Sequence, residues 1–124
     1  MHASLNVLDL PLRSCSQTPK TGWFRDGCCN TDETDRGSHT VCARVSQEFL
    51  EYIAALGNDL ITPAWQFGFP GLKPGDQWCV CAGSWFQAFR AGKACPVVLE
   101  STHQSALKIV PLEALMQHAI ATEV

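Results

Sequence analysis

Seven cysteines and four histidines in 124 residues give this chain more soft ligands and nucleophiles than a core of its size requires. Cys79 and Cys81 stand two apart in Gln77-Trp78-Cys79-Val80-Cys81-Ala82, whose alternation reads as a strand. Residues two apart in a strand share a face, so the two sulfurs would be offered together, to bite one metal ion or to form a redox couple. The plainer reading makes them buried small hydrophobes beside Trp78 and Trp85. Cys28 and Cys29 are adjacent, so in extended chain their thiols point apart and one of them can join a site built with other elements. His39 and Cys42, three apart, share a side where the backbone is turn-like and diverge in a strand. His103 follows Glu100 by three residues just past an expected strand end, and the Glu100 carboxylate can orient its imidazole.

Thiolates with imidazoles suit Zn, Fe or Cu(I), and the ligand set offered is Cys28, Cys29, His39, Cys42, Cys79, Cys81 and His103, with Glu100 or Asp26 as a carboxylate holding an imidazole from behind. Transition-metal binding is the first reading. A cysteine nucleophile uses the same residues differently: Cys42 or Cys81 as thiolate, His103 or His39 as base and Glu100 as orienter. Whether the chain is an enzyme stays open at this level. Both readings expect Cys81, His103 and at least one of Cys28, Cys29 and Cys42 to converge on one pocket, with Cys79 beside them. A third reading is an interaction module, in which Trp65, Phe67 and Phe69 present an apolar patch from the uncharged stretch 60–72. Cys95 is left out of every site, and His2 and His118 are assigned to the surface.

The elements that must position these groups follow from the pattern around them. Ser46 can cap a helix whose first turn carries Glu48 and whose Phe49, Ile53 and Leu56 fall on one face, with Gly57 ending it, so a helix is expected over Ser46–Leu56. Helices are also expected over Ser84–Ala91 and Pro111–Ala119, and strands over His39–Val45, Gln77–Cys81 and Cys95–Leu99, with Ala106–Val110 a further strand. Trp23-Phe24-Arg25 reads as a short strand entering a turn at Asp26-Gly27. The polar run 30–38 reads as a surface loop. Pro70-Gly71 and Pro74-Gly75 each fit a type II turn. Short strands and three short helices without a βαβ rhythm make an α+β domain.

Five ordered segments carry a resemblance: Thr21-Gly22-Trp23-Phe24-Arg25-Asp26-Gly27-Cys28-Cys29, Ser38-His39-Thr40-Val41-Cys42-Ala43, Gly57-Asn58-Asp59-Leu60, the run Phe69 to Ala82, and Leu99-Glu100-Ser101-Thr102-His103. Together, over about residues 6–119, they resemble the bacterial domain-of-unknown-function family numbered 2237. The resemblance implies that Cys28, Cys29, His39, Cys42, Cys79, Cys81 and His103 occupy that family's characteristic cysteine and histidine positions, and it implies no activity. Cys95 departs from the pattern.

Composition bounds the rest. A hydrophobic share of 46%, a charged share of 17% and no linker or repeat describe one domain over 1–124. A net charge of −3 with scattered Lys and Arg gives no basic stripe, so nucleic acid is not expected as a partner, and no apolar run suits a membrane. A small-molecule or protein partner is left unspecified. No export signal is legible in the first twelve residues, so a cytoplasmic location is expected, and with it no structural disulfide. Lys20-Thr21-Gly22 matches an element of penicillin-recognising enzymes, but no Ser-x-x-Lys precedes it.

Overall fold

Two short strands divide the molecule chemically. The computed structural model describes residues 4–120, with the backbone alone for Phe67. Strand β1 (Val41–Arg44) pairs antiparallel with β2 (Gln77–Val80), setting Val41 opposite Val80, Cys42 opposite Cys79 and Ala43 opposite Trp78. Because side chains alternate, Val41, Ala43, Trp78 and Val80 enter the main core while Cys42 and Cys79 join a separate buried cluster with Cys15, Cys29 and Val98. The sheet therefore has an aliphatic and aromatic face and a sulfur face.

Helix α1 (Gln47–Ala55) forms where its cap dictates: Ser46 Oγ accepts the Phe49 N–H at 3.2 Å, and Phe49, Leu50 and Ile53 are buried. Helix α2 (Ala82–Arg90) packs beside it and buries Ala82, Trp85 and Ala88. Trp85 is fully buried and donates its indole N–H to the Cys95 carbonyl at 3.1 Å, which satisfies the one polar atom that burial would otherwise penalise. Helix α3 (Leu112–Gln117) closes the core through Ala114 and Leu115. Among the described residues, three α-helices and a two-stranded antiparallel sheet make an α+β domain, as the pattern predicts.

Several expected elements take another form. Residues 95–99 do not form a strand: Val97 makes single bridges to Ala43 and Ala119, and Pro96, lacking an N–H, cannot extend a ladder along β1. Residues 106–110 are not a strand either, because His103 caps a 3₁₀ turn over Gln104–Lys108, its Nδ1 accepting the Ser105 N–H at 2.9 Å. Trp23-Phe24-Arg25 is a turn, with Arg25 at φ 55°. Gly71 and Gly75 adopt the positive φ that the two Pro-Gly turns require. Among the described residues no helix is long and apolar enough to cross a membrane. His2 lies outside the described residues.

Candidate functional site

Strand β2 stops at Val80, one residue short of the expected boundary, and Cys81 becomes the N-cap residue of α2. Two residues apart in sequence, Cys79 and Cys81 thus part company, since the chain changes direction between them. The Ala82 N–H donates to the Ser38 carbonyl at 2.9 Å and ties the start of α2 to the turn before β1. His39 follows that turn, and its Nε2 lies 3.3 Å from Cys81 Sγ. Its Nδ1 lies 2.6 Å from Asp35 Oδ1, while Asp35 Oδ2 accepts the His39 backbone N–H at 2.8 Å. Asp35 is 5% exposed in a loop that is otherwise largely at the surface, and Thr31 Oγ1 donates to it as well. Cysteine, histidine and aspartate therefore stand in line, with the carboxylate fixing which ring nitrogen faces the sulfur. Gly37 makes the approach possible, since a Cβ there would sit 3.0 Å from Cys81 Sγ and 3.2 Å from His39 Cε1.

The electrostatics agree with the geometry. The hydrogen bond to Cys81 is the largest influence on His39; together with Asp35 and the negative charges of both partners it outweighs burial and lifts the imidazole to about 9. At neutral pH the ring is an imidazolium that donates Nδ1–H to Asp35 and Nε2–H to Cys81. Trp23 stacks on it, with centroids 5.5 Å apart and planes 18° from parallel. The N–H groups of Gly83 and Ser84, in the first turn of α2, have no acceptor among the described residues. The other unpaired thiols lack such a setting: burial, then Asp26, pushes Cys28 up, and burial pushes Cys95 up to about 12.

Cys81 and His39 line a cleft of about 510 Å³ whose walls include Trp23, Arg25, Phe69 and Trp78. Leu60 and Ala64 reach it from the uncharged loop, whose Phe69 is buried against Trp78 at 5.2 Å between centroids. Loop 60–72 thus folds back as a wall, with Trp65 left 71% exposed; the Phe67 side chain lies outside the described residues. Gly22, at φ 104°, lets the Trp23–Arg25 turn form, since a Cβ there would collide with the Cys28 carbonyl.

The sulfur face holds the second concentration of chemistry. Cys15 is disulfide-bonded to Cys42 and Cys29 to Cys79, with Cα separations of 5.7 and 5.3 Å. The expectation of no structural disulfide is corrected by these pairs. Segment 14–29 lies across the sheet, held by Gln77 Nε2 donating to the Cys15 carbonyl and the Cys79 N–H donating to Thr21 Oγ1 at 2.8 Å. The sulfurs of Cys15, Cys29 and Cys79 all lie within 4.8 Å of one another. Cys15, absent from the ligand set read in the sequence, is a full member of this cluster.

The sequence-selected residues are divided between these places. Cys29, Cys42 and Cys79 belong to the sulfur cluster, Cys81 and His39 to the cleft, and Cys28 is a half-buried free thiol. The imidazole that meets Cys81 is that of His39, whereas His103 caps its own turn and donates its backbone N–H to Thr40. Burial, then Lys108, holds His103 below its ordinary range. The Glu100 carbonyl accepts from Asn6 Nδ2 at 3.0 Å and from the Arg13 N–H, on the segment that binds the N-terminal loop. The carboxylate orienting an imidazole is Asp35, which the polar composition of its loop conceals; its spacing of four residues before His39 is the signal that was legible.

A family model described as "Uncharacterized protein conserved in bacteria (DUF2237)" matches residues 5–119. No curated protein matches the chain.

Proposed function

The chain belongs to that bacterial family of uncharacterised proteins, and on this premise we propose that it is a cysteine-nucleophile enzyme of acyl transfer or hydrolysis. The observation that carries the reading is the alignment of Cys81 Sγ, His39 and Asp35 at 3.3 and 2.6 Å. The Cys81 sulfur attacks a carbonyl carbon to form a thioester, and the leaving group departs with the proton that His39 Nε2 supplies. His39, now neutral, takes a proton from water. The hydroxide equivalent attacks the thioester carbon, releasing a carboxylic acid product and restoring Cys81. Asp35 is a positioning residue. Turnover of p-nitrophenyl acetate tests the reading: wild type should release nitrophenolate repeatedly, Cys28→Ser should match it, and Cys81→Ser should fall to the background rate.

A second reading rests on the sulfur cluster. Four thiolates around Zn²⁺ need sulfur separations of roughly 3.8 Å, and three of these sulfurs already lie within 4.8 Å of one another. A dithiol reductant supplying four electrons and four protons converts the two disulfides to four thiols, which a Zn²⁺ ion then binds with release of four protons. Cytoplasmic location belongs to this reading, because a reducing compartment favours the thiol form. Reduced, desalted protein should take up one Co²⁺ with the absorption of a tetrahedral thiolate site. Loss of that spectrum in Cys15→Ser supports the reading, and its persistence removes it.

A further inference from the structure

The cleft around Cys81 carries polar groups that the triad does not use. Arg25 sits on its wall with the guanidinium carbon 5.2 Å from the centre of the Trp78 ring. One Nη1–H donates to the Gly22 carbonyl at 2.7 Å, and the other four N–H groups have no acceptor among the described residues. The nearby carboxylates are engaged elsewhere. Asp26 accepts the Cys28 N–H and Asn30 Nδ2, and Asp59 accepts the N–H groups of Ile61 and Thr62, at 2.8 and 3.1 Å for the latter pair. In a chain of net charge −3 this cation, on a cavity wall, has no carboxylate partner among the described residues. The Asn58 carboxamide, also on the lining, makes no hydrogen bond among the described residues. The remaining walls are flat and apolar: Trp23 over His39, Phe69 against Trp78, and Leu60.

We infer that the cleft binds a small anionic acyl compound with an aromatic or similarly flat apolar body, its carboxylate on the free guanidinium fork of Arg25, its body between the aromatic walls and its acyl group at Cys81. The inference rests on the nucleophile reading for the acyl group alone. A volume of about 510 Å³ holds a molecule of metabolite size. A guanidinium stacked on an indole keeps its edge free for a bidentate carboxylate, while the ring face takes the cation. A cationic ligand would meet Arg25 with like charge, and a neutral one would leave its fork unpaired.

Binding can be separated from chemistry with probes that cannot be acylated. Cys81→Ser protein is titrated with phenylacetate, phenylacetamide and phenethylamine, followed by amide shifts of Gly22, Leu60 and Val80. Phenylacetate should shift these residues saturably, and the amide and amine should bind about tenfold or more weakly, the worth of a hydrogen-bonded charge pair. Arg25→Gln should weaken phenylacetate by a similar factor and leave phenylacetamide unchanged, and Arg25→Lys should restore part of the affinity. Equal affinity for the three probes, no saturable shift with any of them, or indifference of phenylacetate to Arg25→Gln overturns the inference. The nucleophile reading survives that result, because nitrophenyl acetate turnover reads it independently.

Discussion

Asp35 holds His39 by two bonds at once, one carboxylate oxygen 2.6 Å from the ring Nδ1 and the other accepting the backbone N–H of the same residue at 2.8 Å. A buried carboxylate that grips both ends of one histidine fixes its rotamer, and keeps the proton on Nδ1 when the ring is neutral. The ring then has a single free nitrogen, Nε2, and that nitrogen faces Cys81.

Asp35→Asn removes a negative charge that helps raise His39, so the imidazolium should titrate below 9. The His39 ring protons, followed by NMR from pH 6 to 10, should titrate at lower pH than in wild type, and turnover of p-nitrophenyl acetate should fall roughly 10²-fold, in the range ascribed to a positioned acid–base group. A loss of turnover with an unmoved His39 titration would indicate a merely structural effect.

His39 also links stability to pH. Its folded value of about 9 lies above the unfolded 6.5, so its contribution is fully present below pH 6.5 and is lost as pH rises through 9. Wild type should lose melting temperature relative to His39→Gln between those limits. Parallel curves for the two proteins would contradict the raised value.

Gly37→Ala tests the closeness of the approach. Its φ lies outside the left-handed region, and the added Cβ would press on Cys81 Sγ at 3.0 Å and His39 Cε1 at 3.2 Å. Neighbours must give by a few tenths of an ångström, enough to cost a reacting geometry roughly tenfold or more in rate. Alkylation of Cys81 should slow while the melting temperature changes little.

The sulfur face makes its own count. Oxidised protein unfolded without reductant should show three thiols, Cys28, Cys81 and Cys95, and reduction should raise this to seven. The bridges span 27 and 50 residues, so the entropy of loop closure puts the loss of either at about 3.5–4 kcal/mol. Denaturant unfolding of Cys15→Ser and Cys29→Ser reads that cost.

Local signals in the sequence were strong where one element decides the outcome. The Ser46 cap, Phe49 and Ile53 on the apolar face of α1 and the two Pro-Gly turns are written in short windows, and each is present, whereas Leu56 lies past the helix end and is exposed. The candidate site depends on what distant segments do to one another. Asp35 sits among Thr, Asp and Glu, so its loop reads as solvated, and it is buried because the turn at 37–38 is tied to the start of α2. Cys81 looks like the end of an alternating strand until Ala82 donates to Ser38 and a helix starts there. The pairing of Cys15 with Cys42 follows from the segment laid over the sheet by Gln77 and Thr21. Spacing alone does not fix which cysteines of seven pair.

The most direct measurement is an intact-mass and peptide-mapping experiment on protein quenched in acid within milliseconds of mixing with p-nitrophenyl acetate. Wild type should carry an acetyl group on Cys81, with a much slower appearance in His39→Gln and none in Cys81→Ser. An acetyl group on Cys28 or on a lysine with Cys81 unmodified, or acetylation of Cys81 at the same rate in His39→Gln, would contradict it.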